Sequence, residues 1–287
     1  MPTATTTASA GVDSQLEVVE RKVPLELDRV DYTVLNPAAL TARLTDPLQY
    51  AQRVEIIVTG LGIEHLLPRH DERIARFLEI WIEDETTHGV ALGTLLDQLG
   101  LETYVPTDAS LPIHNQLAKL LGRLSQRAHE VVELIWSASG AMNEHLAMSA
   151  YREMGIVVDD LGERSLYETL FKRLRTHEAA HKGFYAAYAR EVAQGMHRWQ
   201  RRLARAIIVH TYAPVGAGAK VDKPALGRTV RALDPDGGWE EKVADPVQRI
   251  AEKLLADGEP LPRFVRDAMS ECVESVAARG ESVESAA

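Results

Sequence analysis

The chain has 287 residues, room for one large domain or two small ones around a substantial core. A formal net charge of −10 argues against general nucleic-acid binding, which needs a basic surface. Its single cysteine, Cys272, excludes a disulfide framework and a cysteine-rich metal site, and fits a reducing cytoplasm.

Residues 1–15 are rich in Thr, Ala and Ser, with neither a basic start nor an apolar stretch. They read as a disordered tail rather than a signal peptide, and we place that tail at 1–22. The folded domain is expected over 23–279, followed by a second frayed tail at 280–287. Residues 24–50 suggest one or two short helices with turns at Pro37 and Pro47. No apolar run approaches the roughly 20 residues that span a bilayer, and no strand signal stands out.

From 70 to 96, Ile74, Leu78, Trp81, Glu85, His88, Leu92 and Leu95 recur at steps of four and three. That is one stripe down a helix facing a packed neighbour. Tyr167, Phe171, Leu174, Glu178, His181, Tyr185 and Tyr188 keep the same alternation further along. Each stripe contains a Glu-x-x-His pair, Glu85 with His88 and Glu178 with His181. A buried charge costs several kcal/mol unless it is paired or bound to metal.

Each pair is preceded by another glutamate across a turn. Glu55 and Glu85 flank Pro68 and Asp71, while Glu144 and Glu178 flank Asp159, Asp160 and Gly162. In an antiparallel helical hairpin, residues equidistant from the turn come level. Two such hairpins make a four-helix bundle, spanning about 45–195, with six side chains meeting near its middle. Residues 97–113 form the crossover. Beyond 190 we expect a helix to about 210, a Gly/Pro-rich loop through 211–227, and amphipathic helices near 244–256 and 261–279.

Four carboxylates and two imidazoles are the set with which helical bundles hold two iron or manganese ions. Glutamates are hard oxygen ligands able to bridge two metals, and neutral imidazole suits iron. A Glu and a His three apart project from one side of a helix. The expected ligands are Glu55, Glu85, His88, Glu144, Glu178 and His181, with Glu64 as an alternative first ligand on the same helix. Asp84 is a candidate to orient an imidazole from the opposite helix, as metal-bound histidines usually require, and His177 holds the equivalent place in the other half. Trp81 reads as core packing. Thr59, Gly62, Gly140, Ala141 and Ala147 are small residues near the proposed metals, fitting either close helix approach or an apolar cavity.

With these residues in place, the chain resembles the soluble acyl-[acyl-carrier-protein] desaturases of the ferritin-like di-iron superfamily. Trp81 to Gly89 is similar to their W-x-x-E-E-x-x-H-G, and Thr176 to His181 to their D-E-x-R-H segment. Met142-Asn143-Glu144-His145 stands at their third-helix glutamate, and the helix ending near Pro214 resembles a later family helix. Departures are His177 in place of Asp, Ala147 in place of a hydroxyl residue, and Thr87 and Ala180 in place of arginines.

The resemblance implies an all-α, ferritin-like four-helix bundle with flanking helices, often a homodimer, in the cytoplasm. It implies two Fe ions per chain, with Fe/Mn or Mn as variants. The implied activity is O2-dependent desaturation of a fatty acyl chain on acyl carrier protein, with a ferredoxin-type electron donor. Arg198, Arg201, Arg202 and Arg205, at i, i+3, i+4 and i+7, offer a basic helix face for an acidic carrier. Alternatives sharing the ligand set are a di-iron N-oxygenase or hydroxylase, a ribonucleotide-reductase-like subunit and an iron-storage bundle. Leu92 stands where the reductase subunits carry tyrosine, and Leu174 where the N-oxygenases add a histidine. A minimal ferritin bundle leaves the chain beyond 195 without a role.

Overall fold

A computed structural model of the chain describes residues 5–60, 71–105, 125–214, 222–255 and 258–278. The described residues are helical, with no strand among them, and none of their helices is long and apolar enough to cross a membrane. In chain order the long helices are α1 (Thr5–Arg21), α2 (Pro37–Gly60), α3 (Glu72–Gln98), α4 (Gln126–Asp160) and α5 (Lys172–Gly195). They are followed by α6 (Arg198–Thr211), α7 (Asp222–Leu233), α8 (Asp245–Leu255) and α9 (Phe264–Ala278).

Helices α2 and α3 pair, as do α4 and α5, and the two pairs meet where α2 touches α4 and α3 touches α5. Local chemistry fixes the starts. Asp71 caps α3 by accepting from the Arg73 N–H at 2.9 Å, and Ser125 caps α4 by accepting from the Ala128 N–H. At 35 residues, α4 runs about 52 Å and is the spine of the molecule. It ends one residue before Leu161, and Gly162 makes the turn at φ +83°, a conformation that favours glycine.

Every residue of the α3 stripe, Ile74 through Leu95, is buried. The apolar core falls into two clusters. One gathers Phe77, Trp81, Ala138, Met142, Phe184 and Tyr185; the other gathers Leu44, Leu92, Leu95, Met154, Phe171 and Leu174. Following α3, the first cluster stops at Trp81 and the second starts at Ala91, with Glu85 and His88 between them. A polar slab therefore divides the bundle at mid-height.

Three expectations are corrected. Residues 5–21, expected within a disordered tail, form α1, which lies on α5 and α3 with Val12 and Val19 fully buried. Those two valines, seven apart, fall on one helical face, and that sparse stripe is enough to dock the segment. Pro37 opens α2 and Pro47 lies inside it, so neither makes a turn. Pro47 forfeits one helical N–H, but Leu40, Leu44 and Leu48 on the same helix are fully buried and hold it in place. Residues 222–227, expected in a loop, belong to α7. Their proline sits in its first turn, and Gly227 permits a close crossing, since a Cβ there would lie 2.2 Å from the Cys272 carbonyl oxygen of α9. The stretch 279–287 lies outside the described residues.

Candidate metal centre

The six side chains converge. Glu55, Glu85, His88 and Glu178 each bring one donor atom within 4.8 Å of the others, and so do Glu85, Glu144, Glu178 and His181. Two overlapping four-residue sets result, sharing Glu85 and Glu178. Each set adds one glutamate and one histidine of its own. All six residues are 7% exposed or less, which leaves water little part in stabilising their charge.

Glu178 spans the two halves. Its Oε1 lies 3.0 Å from His88 Nδ1, and its Oε2 lies 3.6 Å from His181 Nδ1. His181 Nδ1 is 3.3 Å from Glu85 Oε1, and His88 Nδ1 is 3.7 Å from Glu55 Oε2. Both Glu178 oxygens, Glu55 Oε2, Glu85 Oε1 and both Nδ1 atoms are buried without a hydrogen-bond partner. Buried polar atoms are nearly always satisfied, and a cation is one partner that could satisfy all six of these at once.

The outer faces of the imidazoles are satisfied. His181 Nε2 is 2.8 Å from Asp84 Oδ2, and Asp84 is held in turn by Lys22 Nζ at 2.6 Å. His88 Nε2 meets His177 Nδ1 at 3.1 Å, and His177 Nε2 reaches the Val23 carbonyl at 2.8 Å. A carbonyl only accepts, so His177 Nε2 carries the hydrogen. In neutral His177, Nδ1 then accepts from His88 Nε2–H, which leaves the neutral His88 with its Nδ1 lone pair facing the glutamates. Asp84 sets the same tautomer in His181. Both rings are thus prepared to donate to a cation through Nδ1.

Without a cation the cluster holds protons. Burial and the neighbouring charges of Glu55 and Glu178 raise Glu85 well above the carboxylate range. Burial and Glu178 do the same to Glu144. Burial opposes charge on His88, but Glu178 and Glu55 prevail and push it up to about 10. Glu178 is held well below its ordinary value in spite of burial, by the neighbouring Glu144 carboxyl and the His181 and His88 imidazoles. Asp84 is also lowered against the pull of burial, by His181 and Lys22. Four carboxylates in one dry pocket cannot all ionise unless positive charge enters with them.

Two further residues complete the site, and the sequence reading gave neither this role. Tyr151, buried on α4, donates a short hydrogen bond to Glu55 Oε1. Its position seven after Glu144, two turns along the same face, was the available signal. Trp81 donates from Nε1 to Glu144 Oε1 at 3.0 Å, so its role exceeds packing. Lys22 and Val23 lay in or beside the expected tail, and nothing local marked them. Glu64 and Gly62 lie outside the described residues, and Thr59 lies on α2.

The small residues divide between both readings. Gly89 lets α2 approach α3, since a Cβ there would lie 2.9 Å from Ile56 Cγ1, and Gly140 accommodates the ring of Tyr185. Ala141 is core, whereas Ala147 lines a cavity. That cavity, of about 910 Å³ including its open mouth, lies between α2, α4, α7 and the Glu240–Ala244 turn. Ala51, Val54, Leu146, Ala150 and Leu226 give it apolar walls. Glu55 and Tyr151 line its buried end, and the half-exposed Lys242, paired with Asp234, lines its outer part.

The four arginines of the basic face of α6 differ in exposure. Arg198 and Arg202 are exposed, but Arg205 donates to the carbonyls of Glu259 and Pro260 and braces the loop before α9. Arg201 is half-buried, with its Nε enclosed.

No protein-family model matches the chain, and neither a curated protein nor a solved structure gives a significant match. The site's chemistry therefore carries the functional argument.

Proposed function

We propose that this protein is an O2-dependent di-iron oxidoreductase that removes hydrogen from an unactivated C–H bond of an apolar substrate. The reading is of the acyl-carrier-protein desaturase type. The observation that carries it is the set of six buried, unpartnered donor atoms converging from three helices, with Glu144 of a fourth beside them, behind histidines whose outer nitrogens are already bonded. Glu55 and His88 would hold one ion, Glu144 and His181 the other, and Glu85 and Glu178 both.

Bound iron would supply the activation of O2. Desaturation balances as loss of two hydrogens from adjacent carbons, with O2, two electrons and two protons giving two waters. The protein's part is positioning and dryness. The apolar cavity fits a hydrocarbon segment and brings it to Glu55 and Tyr151. Tyr151 orients Glu55 and keeps a proton beside it, because burial and the Glu55 charge push its phenol well above the ordinary value. Asp84 and His177 fix the two rings, and the surrounding core excludes water. Exposed Arg198 and Arg202 suit an acidic carrier protein, and a ferredoxin-type protein would deliver the electrons from the cytoplasm.

Hydroxylation or N-oxygenation of a small molecule is the second reading. Ala147 favours it, because an apolar methyl stands on the cavity wall where the desaturases often have a hydroxyl. Mass spectrometry after incubation with reductant and O2 separates the two. Loss of two hydrogens from an acyl carrier substrate supports desaturation, and gain of one oxygen supports the alternative. Failure of the purified protein to hold iron removes both.

A further inference from the structure

Four aromatic side chains lie in succession from the candidate centre to Tyr188, each ring against the next. Trp81 on α3 lies 6.1 Å from Tyr185 on α5, ring centre to ring centre. Tyr185 lies 4.8 Å from Trp136 on α4, and Trp136 lies 6.2 Å from Tyr188 on α5. All are edge-to-face contacts, so ring edges approach more closely than these centres. Gly140, one turn after Trp136, makes the middle step possible: a Cβ there would sit 2.5 Å from the Tyr185 ring.

Both ends are wired to acids. Trp81 Nε1–H donates to Glu144 Oε1 at the centre, and Tyr188 O–H donates to Glu133 Oε1 at 3.0 Å at the far end. Trp81, Tyr185 and Tyr188 are buried, while Trp136 is partly exposed. Packing alone would be served by phenylalanines such as Phe77 and Phe184, which stack beside the run. Indoles and phenols are instead the side chains that give up one electron most readily, and a phenol does so best when a base takes its proton.

We infer that Trp81, Tyr185, Trp136 and Tyr188 form a hole-transfer path that carries one oxidising equivalent away from the candidate metal centre to Tyr188. The path rests on the reading of that centre as a redox-active iron site. The oxidant is the centre after reaction with O2 when the cavity holds no substrate. One electron leaves Tyr188 and passes through Trp136, Tyr185 and Trp81, and the centre is reduced by one electron. The Tyr188 O–H bond breaks, its proton moves to the Glu133 carboxylate, and a neutral tyrosyl radical remains. A small reductant such as ascorbate then returns one electron as the proton comes back. The path would spare the ligands and cavity walls from oxidation during unproductive turnover.

The test uses the full chain loaded with iron and exposed to O2 without substrate, read by freeze-quench electron paramagnetic resonance. Wild type is expected to show a tyrosyl radical that narrows when tyrosine is ring-deuterated. Tyr188→Phe and Trp136→Phe should lose that signal while keeping iron content and helicity. Peptide mass spectrometry of Tyr188→Phe should show new oxygen adducts on Trp136. An unchanged radical in both variants overturns the path, as does iron-loaded wild type that yields no protein radical, whether or not it consumes O2. Absence of bound iron in wild type fails the metal reading itself, and the path falls with it.

Discussion

Lys22 Nζ lies 2.6 Å from Asp84 Oδ2, with both side chains largely buried. A residue outside the four bundle helices thus holds the acid that orients His181. Replacing Lys22 with Met leaves Asp84 short of one partner in a site that excludes water. We expect iron affinity to fall about 10- to 100-fold, the usual effect of losing such an outer partner. We also expect a stability loss of about 3 kcal/mol from the broken buried pair. Chelator competition and chemical denaturation measure the two.

Iron loading at neutral pH should release protons. His88, pushed up to about 10, carries a proton at neutral pH, and burial and neighbouring carboxylates raise Glu85 and Glu144 in the same sense. Calorimetric titration in buffers of differing ionisation enthalpy reads the release directly. For the metal-free protein the sign follows from His88. A raised folded-state value contributes stability that is whole below the unfolded value of 6.5 and lost as pH climbs through about 10. Raised Glu85 and Glu144 act in the same direction, so metal-free protein should melt at lower temperature at pH 9 than at pH 7. Bound iron should flatten that slope.

The acid limb belongs in part to His177. Burial, reinforced by the positive charge on His88, lowers it to about 4. A depressed value contributes stability present above 6.5 and lost as pH falls toward 4. His177→Gln keeps one acceptor and one donor while removing titration, and should flatten the fall in melting temperature between pH 6.5 and 4.

Gly140→Ala tests the packing of Tyr185. Alanine favours a helix over glycine by about 1 kcal/mol, but the added methyl meets a rigid ring at 2.5 Å. Overpacking of this kind costs about 1–3 kcal/mol. The expected result is a net loss of stability by denaturant titration.

Filling the cavity should separate substrate from metal. Ala147→Phe puts a ring into space lined by Leu146, Ala150 and Leu226. Turnover of long apolar substrates should drop by at least about tenfold, a loss near 1.4 kcal/mol, while iron content stays that of wild type. Equal loss of iron would show that the cavity wall also supports the ligands.

The helices that carry the site were legible because their information is local. Ile74, Trp81, Glu85, His88 and Leu92 repeat at helical spacing, and the mirrored Glu-x-x-His pairs indicated which helices face each other. Asp84 and His177 were legible for the same reason, each being the neighbour of a candidate ligand. What escaped depends on distant contacts. Val12 and Val19 are too sparse to predict a helix from pattern alone, so α1 and the Lys22–Asp84 pair behind it passed as tail. Proline and glycine in 222–227 read as loop because sequence does not reveal that α9 passes within reach of Gly227. The cavity likewise forms between α2, α4 and α7, segments whose adjacency no local pattern encodes.

Holding two metal ions is the role we propose for these six side chains. Iron analysis of wild type and Glu178→Ala, each expressed with iron and checked for intact helicity by circular dichroism, tests it most directly. We expect two irons per chain in wild type and close to none in the variant, because Glu178 faces both histidines. Well-folded wild type without iron, or a variant that keeps both ions, would contradict it.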